Sequence, residues 1–372
     1  MTGRIRVGLI GVGSERGWAR ESHVPALQAL DDYEIVAVCG SSQTTAERSA
    51  RALNVPLAFG DYRDLLAHPE VDLVTVAVKV THHREMAEAA LKSDKMVYSE
   101  WPLGRNAAEA AELSALAAAS HLRTVIGLQG RFSPAIQFVR ELVSAGEIGR
   151  VLGTSIRGIG PDSLWHGTLD PAFEITADVT NGNTLLAIPV GHVLDMLAFV
   201  LGEFASVGSV LAVGRSQAIR SRDGAKIPVT AHDQIAIAGT LVSGALASLH
   251  YHGGAPHGPT FDWQINGSEG DLRIVAPQGY GNINALEVQG GYGGGTWKTL
   301  EVLEPYRKAP VACPEAVANI YAVYTQFADD LRTGTKLAPD FADGLRRHML
   351  LEAIEVAHTT GERQTLPQNH TN

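Results

Sequence analysis

The chain reads as an α/β protein in two parts: an N-terminal doubly wound parallel sheet, then a C-terminal α+β domain with a large, mainly antiparallel open sheet. Three observations predict this. Up to about residue 130, short apolar runs alternate with helical periodicities, as strands do when crossover helices cover both faces of their sheet. The first run is followed directly by a glycine turn. Beyond it the rhythm changes to a series of strands with hairpin signals such as Asn266-Gly267 and Gly270-Asp271. At 372 residues the chain can hold two cores, and the expected parts are 1–130 and 131–372.

Within Arg4–Ala19, Val7, Leu9 and Ile10 form the first strand, and Gly11 and Gly13 turn the backbone into a helix. Such a turn can approach a bound pyrophosphate, whose charge then sits against the free N–H groups of the helix start. The third glycine of the dinucleotide fingerprint falls on Arg16, with Gly17 one place later, so the match is partial. A glycine turn after a strand is by itself only a turn. Here a helix carrying Val24, Leu27 and Leu30 and a second strand Glu34–Cys39 complete a βαβ unit of the right length. That context outlines a cofactor site of the Rossmann type.

The second strand ends in Cys39-Gly40-Ser41-Ser42, with no acid for the ribose hydroxyls. A missing carboxylate removes repulsion against a 2′-phosphate, which Ser41 and Ser42 could hydrogen-bond. The expected cofactor is therefore NAD or NADP, with NADP tolerated and weakly preferred. No Arg or Lys stands beside the two serines.

The next expected elements are a helix Thr44–Leu53, a short strand Val55–Ala58, a helical turn Tyr62–Leu66 and a strand Val71–Val78. They are followed by a helix Glu85–Leu91, a strand Met96–Tyr98, the segment Ser99-Glu100-Trp101-Pro102, a helix Ala107–Ser120 and a strand Thr124–Leu128. Ser133-Pro134 then starts a helix that ends near Ala145-Gly146. The later strands are Val151–Gly158, Ala205–Val213, Asp233–Thr240, Ala245–His252, Phe261–Gly267, Asp271–Val275, Ala285–Gln289 and Thr296–Leu303. One long helix, Asn183–Leu201, interrupts them, and helices Pro314–Arg332 and Phe341–Thr360 stop at Gly334 and Gly361.

Composition narrows the partners. The net charge is −10 and the basic residues are scattered, so no patch for direct nucleic-acid binding is present. The most apolar long segment, Thr184–Gly202, is interrupted by Pro189, His192 and Asp195, which argues against a membrane span. No signal pattern precedes the first strand, and Cys39 and Cys313 lack metal-ligand spacing; the expectation is a cytoplasmic protein with reduced thiols and no metal.

The motifs Gly11-Val12-Gly13, His23-Val24-Pro25-Ala26-Leu27, Ala77 with His83, Glu100-Trp101-Pro102 and Arg131-Phe132-Ser133-Pro134 occur in this order. Gly191-His192-Val193-Leu194-Asp195, Gly267-Ser268-Glu269-Gly270 and Phe341-Ala342-Asp343-Gly344 follow. Together they resemble the glucose–fructose oxidoreductase / inositol dehydrogenase (Gfo/Idh/MocA) family over essentially the whole chain. The resemblance implies a dinucleotide domain joined to an open-sheet domain, and oxidation or reduction of sugars and polyols with NAD(P). It departs from the family at two places: the usual lysine of Glu-Lys-Pro is Trp101, and the aspartate four residues before the helix histidine is Ile188. With Gly17-Trp18, Val78-Lys79-Val80 and Leu128-Gln129-Gly130-Arg131, these departures are similar to the branch of yeast galactose-regulon repressors, which binds dinucleotide but regulates.

For hydride transfer a group must accept the hydroxyl proton near the working pH, and His192 is the candidate. Asp195, three residues on, could orient it or hold a substrate hydroxyl, or both could be satisfied polar residues at a domain interface. Lys79 could supply the charge that position 101 lacks, or face solvent. The candidate cofactor residues are Gly11, Gly13, Ser14, Arg16, Trp18, Ser41, Ser42, Val78, His83, Glu100, Trp101 and Arg131. Among these, Trp101 offers a flat wall for stacking; Glu100 would hold the cofactor end or be a loop carboxylate. Arg131 would bridge domains, contact an anion or form a structural ion pair. Trp165 and His166 could close over substrate or cover a core edge, and His250, His252 and His257 read as sheet surface. Two functions remain open: an NAD(P)-dependent oxidoreductase on a sugar or polyol, or a dinucleotide-binding regulator without turnover. The open sheet face predicts a homo-oligomer.

Overall fold

A computed structural model describes residues 3–13, 17–160, 167–254, 260–276, 280–310 and 313–367. The chain divides into two compact units, one made of Met1–Gln129 and Lys308–His348, the other of Gly130–Arg307 and Met349–Asn372.

The first unit is built on six strands: β1 (Ile5–Ile10), β2 (Tyr33–Cys39), β3 (Leu57–Phe59), β4 (Leu73–Val76), β5 (Met96–Glu100) and β6 (Thr124–Gly127). They lie in the order β3-β2-β1-β4-β5-β6, and every pairing is parallel. Apolar runs become central strands because both faces are covered: all four residues of β4 are buried, and Val7 and Leu9 have no exposed surface. The strand order reverses between β1 and β4, which opens a crevice at the carboxyl ends of these strands. Helix Gln43–Leu53 starts where the Ser42 hydroxyl accepts the N–H of Thr45, and helix Ala107–Ser120 starts where Asn106 accepts that of Glu109.

The sequence reading ends the dinucleotide part at residue 130, whereas Lys308–His348 groups with the parallel sheet. Helix Glu315–Thr333 buries Ile320, Val323, Tyr324 and Phe327, and the Tyr33 hydroxyl donates to the Tyr324 carbonyl at 2.7 Å. From the last turn of the helix, the Asp330 carboxylate accepts the N–H groups of Leu337 and Ala338 beyond it at 2.8 Å each. The Pro339 carbonyl then accepts the N–H of Ile126 on β6 at 2.9 Å.

The second unit carries a nine-stranded sheet among the described residues, in the order β17-β16-β15-β14-β7-β13-β12-β9-β18. Its strands are β7 (Val151–Ile159), β9 (Phe204–Ala212), β12 (Gln234–Leu241), β13 (Leu246–His252), β14 (Phe261–Gly267), β15 (Gly270–Ala276), β16 (Glu287–Tyr292), β17 (Lys298–Leu300) and β18 (Gln364–Thr365). Only β7 and β13 pair in parallel; the other described pairings are antiparallel. Alternation sorts the faces: Ile235, Ile237, Leu249, Tyr251, Trp263 and Ile265 are buried, while Val210 and Leu246 are 68% and 64% exposed. Three short strands the sequence reading did not anticipate, β8 (Thr168–Leu169), β10 (Gln217–Arg220) and β11 (Lys226–Pro228), form a separate small sheet.

The expected continuous helix Asn183–Leu201 is instead a wide turn, Leu186–Val190, followed by an α-helix Gly191–Leu201. Pro189 has no N–H to donate, and the N–H of Val190 reaches back five residues to Leu185. The strand expected over Val71–Val78 is confined to Leu73–Val76, which releases Val78 into the crevice. Among the described residues no helix is long and apolar enough to cross a membrane.

Candidate functional site

In the first unit, the carboxyl ends of β1, β2 and β4 frame a cleft of about 500 Å³ lined by Gly11-Val12-Gly13, Cys39-Gly40-Ser41, Gly60–Arg63 and Val78. Gly11 sits at φ +99°, and a Cβ there would lie 2.3 Å from the Ala77 carbonyl oxygen. The ladder fixes both sides of this contact: Gly11 N–H donates to Cys39 O at 3.1 Å and Ala77 N–H to Ile10 O at 3.0 Å. The Ser49 hydroxyl lies 3.3 Å from the carbonyls of both Val12 and Gly13 and ties the turn to helix Gln43–Leu53. A bare backbone turn without side-chain bulk fits a pyrophosphate, which needs close approach to amide groups.

The remaining candidates of this unit fall in different places. Ser41 lines the cleft, but the Ser42 hydroxyl caps a helix. Lys79 is exposed and its carbonyl accepts the N–H of His82. Trp18 is half-buried where the first helical segment begins, its carbonyl accepting the Ser22 hydroxyl at 2.6 Å. His83 is buried between two carbonyls, Pro102 O 2.7 Å from Nδ1 and Val78 O 3.0 Å from Nε2. Burial pushes its pKa down, and the two carbonyls offset only part of that. A neutral imidazole has a single N–H, so His83 donates to one of these carbonyls at a time while its ring packs between the Val78 loop and the Trp101-Pro102 segment. Ser14, Arg16, Trp165, His166 and His257 lie outside the described residues.

Glu100, expected at the cofactor end or in an exposed loop, is buried at the end of β5. Its Oε1 lies 3.2 Å from His23 Nε2, His23 Nδ1 lies 2.9 Å from the Tyr324 hydroxyl, and that hydroxyl lies 2.9 Å from Thr75 Oγ1. This polar chain runs through the interior of the unit, where buried groups must find partners. Trp101, expected as an open stacking wall, is 5% exposed. Its ring packs 4.7 Å from that of His348 at a tilt of 42°. Burial holds His348 down to about 4, so it is neutral at pH 7, and its Nε2 accepts the N–H of Gly104 at 3.4 Å.

In the second unit, helix Gly191–Leu201 carries His192 and Asp195, both buried. The Arg131 fork donates to Asp195 from Nε at 2.7 Å and from Nη2 at 2.6 Å, the bidentate geometry of a strong charged pair. Gln137 Nε2 donates to the Arg131 carbonyl at 2.6 Å. Among the alternatives open for Arg131, the structural ion pair is formed, with Asp195. His250 and His252 stand 5.7 Å apart on β13, and the described residues contain no metal-binding group of His, Cys, Asp or Glu. Sequence reasoning missed Asp61 and Arg63, which line the cleft although nothing in their local sequence marks them.

Residues 5–128 match the family model described as oxidoreductase family, NAD-binding Rossmann fold, and residues 134–276 match that of the Gal80p C-terminal domain. "Dehydrogenase aclE" of Aspergillus oryzae is 30% identical over 297 residues, 74% of this chain and 78% of that protein. The chain belongs to the Gfo/Idh/MocA family. Other relatives show that the Gfo/Idh/MocA fold carries both regulators and catalysts. The galactose/lactose metabolism regulatory protein GAL80 of Saccharomyces cerevisiae is 27% identical over 303 residues, 76% of this chain and 69% of that protein. Levoglucosan dehydrogenase of Pseudarthrobacter phenanthrenivorans is 25% identical over 294 residues, 72% of this chain and 73% of that protein. Among solved structures, a super-repressor mutant of S. cerevisiae Gal80p superposes with a TM-score of 0.88 at 23% identity, covering 98% of this chain and 99% of that one. Levoglucosan dehydrogenase in complex with NADH and L-sorbose superposes with a TM-score of 0.84 at 21% identity, covering 99% and 100%. At these identities the shared property is the fold of the Gfo/Idh/MocA family.

Proposed function

We propose that this chain is an NAD(P)-dependent oxidoreductase acting on a hydroxyl or carbonyl of a sugar, polyol or related compound, with His192 as acid/base. The observation that carries the reading is the Gly11 turn, whose backbone closes on Ala77 so tightly that only glycine fits, in a chain 30% identical to a dehydrogenase. A bound nicotinamide dinucleotide would supply the hydride acceptor or donor. The amides that follow Gly11 in the turn would hold the pyrophosphate, since the Gly11 N–H itself is taken by Cys39 O, and Val78 forms a wall of the cleft. His192 takes the substrate hydroxyl proton on a ring nitrogen, general-base work for an imidazole. Asp195, gripped by Arg131, fixes the helical turn that carries His192. Lys79 is assigned no step.

A specific observation favours a second reading. The family's lysine position is Trp101, packed on His348, and an indole cannot accept a proton; relatives named as regulatory proteins cover this chain as extensively as the dehydrogenases do. In that reading the chain binds dinucleotide and a protein partner without turnover. In either reading the exposed sheet face with Val210 and Leu246 pairs copies of the chain, a prediction that a monomer in sedimentation would overturn.

The deciding experiment titrates the purified protein with nicotinamide dinucleotides and screens sugars and polyols for a change in the nicotinamide absorbance band. His192→Asn should cut turnover by about 10²- to 10⁴-fold with dinucleotide affinity unchanged. Tight cofactor binding with no turnover on any substrate would leave the regulator.

A further inference from the structure

We infer that Asp61 makes the cleft selective for NAD(H) over NADP(H), supplying from the loop after β3 the carboxylate that the end of β2 lacks. The inference rests on the dinucleotide reading of the cleft and reverses the tolerance for a 2′-phosphate that Cys39-Gly40-Ser41-Ser42 alone would suggest.

The sheet order makes the placement. Strand β3 is the parallel neighbour of β2, and Cys39 pairs with Phe59. Two residues further along each chain, Ser41 and Asp61 therefore emerge side by side, and both line the cleft. The two loops are fastened together. Gly40 N–H donates to Phe59 O at 3.2 Å, Gly60 N–H to Gln43 Oε1 at 2.8 Å, and Gln43 Nε2 to Ala58 O at 3.1 Å. A Cβ on Gly60 would lie 2.5 Å from the Gln43 nitrogen, so the approach depends on glycine. Asp61 is held in turn, since its Oδ1 accepts the N–H of Arg63 at 2.8 Å. Among the described residues its Oδ2 accepts no bond, and about half of the side chain is exposed.

Among the described residues, carboxylates outnumber cations at this end of the cleft, with Asp61 and Asp64 against Arg63. Burial pushes the Cys39 thiol up to about 11, and the carboxylates of Asp61 and Asp64 push it the same way. Among the described residues the cation that lines the cleft, Arg63, is already engaged: its guanidinium lies 2.9 Å from Glu85 and 3.4 Å from Asp61, over the Tyr62 ring. A carboxylate accepts hydrogen bonds from vicinal ribose hydroxyls, whereas a 2′-phosphate brings two negative charges and no donor.

The test is equilibrium binding. NADH and NADPH are titrated by nicotinamide fluorescence into wild type, Asp61→Ser and Asp61→Asn, with melting curves as a check; Ser and Asn both preserve the capping of Arg63. Wild type should bind NADH about tenfold or more tightly over NADPH, the size of one charged hydrogen bond, and both variants should lose most of that ratio. Equal binding, a preference for NADPH, or variants that keep the wild-type ratio overturn the inference. So does an Arg63→Ala variant that selectively loses NADPH. If neither dinucleotide binds, the reading of the cleft falls with it.

Discussion

Replacing Gly11 by alanine tests the cleft directly. The backbone at φ +99° costs an L residue about 1–3 kcal/mol. The new methyl carbon would stand 2.3 Å from Ala77 O and 2.8 Å from both Ala77 C and Val78 Cγ1. Relief requires one of the flanking ladder bonds, Gly11 N–H to Cys39 O or Ala77 N–H to Ile10 O, to lengthen, and overpacking of this kind costs about a further 1–3 kcal/mol. The expected loss is therefore about 2–6 kcal/mol, read from the urea midpoint at unchanged slope. Gly224→Ala is the control. Its φ is +72° with nothing within 4 Å of the added carbon, so it carries the backbone cost without the collision. If instead the loop yields locally, stability changes little while NADH affinity falls more than about tenfold, because the amides no longer converge on the pyrophosphate. A Gly11→Ala protein that matches the control in stability and wild type in NADH affinity would refute the account of the turn.

Two further outcomes follow from the buried groups. The imidazole of His348 is neutral in the folded chain, held to about 4 by burial, and titrates near 6.5 once unfolded. The unfolded chain therefore binds the extra proton first, so stability is intact above about pH 6.5 and falls as the pH drops toward 4, by about 3 kcal/mol in all. His348→Gln should flatten that part of the stability profile, and an unchanged slope between these pH values would contradict the assignment. Arg131→Met removes the fork from Asp195, whose side chain is 1% exposed, and should cost about 3–5 kcal/mol; removing both charges with Asp195→Leu should cost less than the single change. A single variant within about 1 kcal/mol of wild type in denaturant melts would show that the pair is not structural.

The parallel sheet was readable because a strand covered on both faces is largely apolar, as β1, β2, β4 and β6 are, with Arg6, Glu34, Thr75 and Thr124 as their polar residues. The open sheet was readable from alternation, as in β12 and β13, where every second residue is buried. Elements too short to establish a period, such as β8 and β11, left no signal. Proline set the limit at Leu186–Val190: the apolar pattern continues through Pro189, but its missing N–H changes which carbonyl the next amide can reach. Glu100 and Trp101 were identifiable as a motif, yet their surroundings come from His23, Tyr324 and His348. Those partners stand as far as 247 residues away from Trp101 and become neighbours only after folding.

The same reasoning bears on whether this chain catalyses or senses. A motif lysine replaced by tryptophan invites the conclusion that the site is dead, but that inference assumes the new side chain occupies the old pocket. Here Trp101 is 5% exposed and packs against a neutral His348, so the substitution removes a charge and puts a buried, packed ring in its place. The loss therefore weighs on proton transfer alone and leaves the glycine turn and its cleft intact. Dinucleotide affinity is then a property both readings share, and it cannot separate them. Turnover separates them, and its dependence on His192 then tests whether that residue is the acid/base, because it has work to do in a catalyst and none in a sensor.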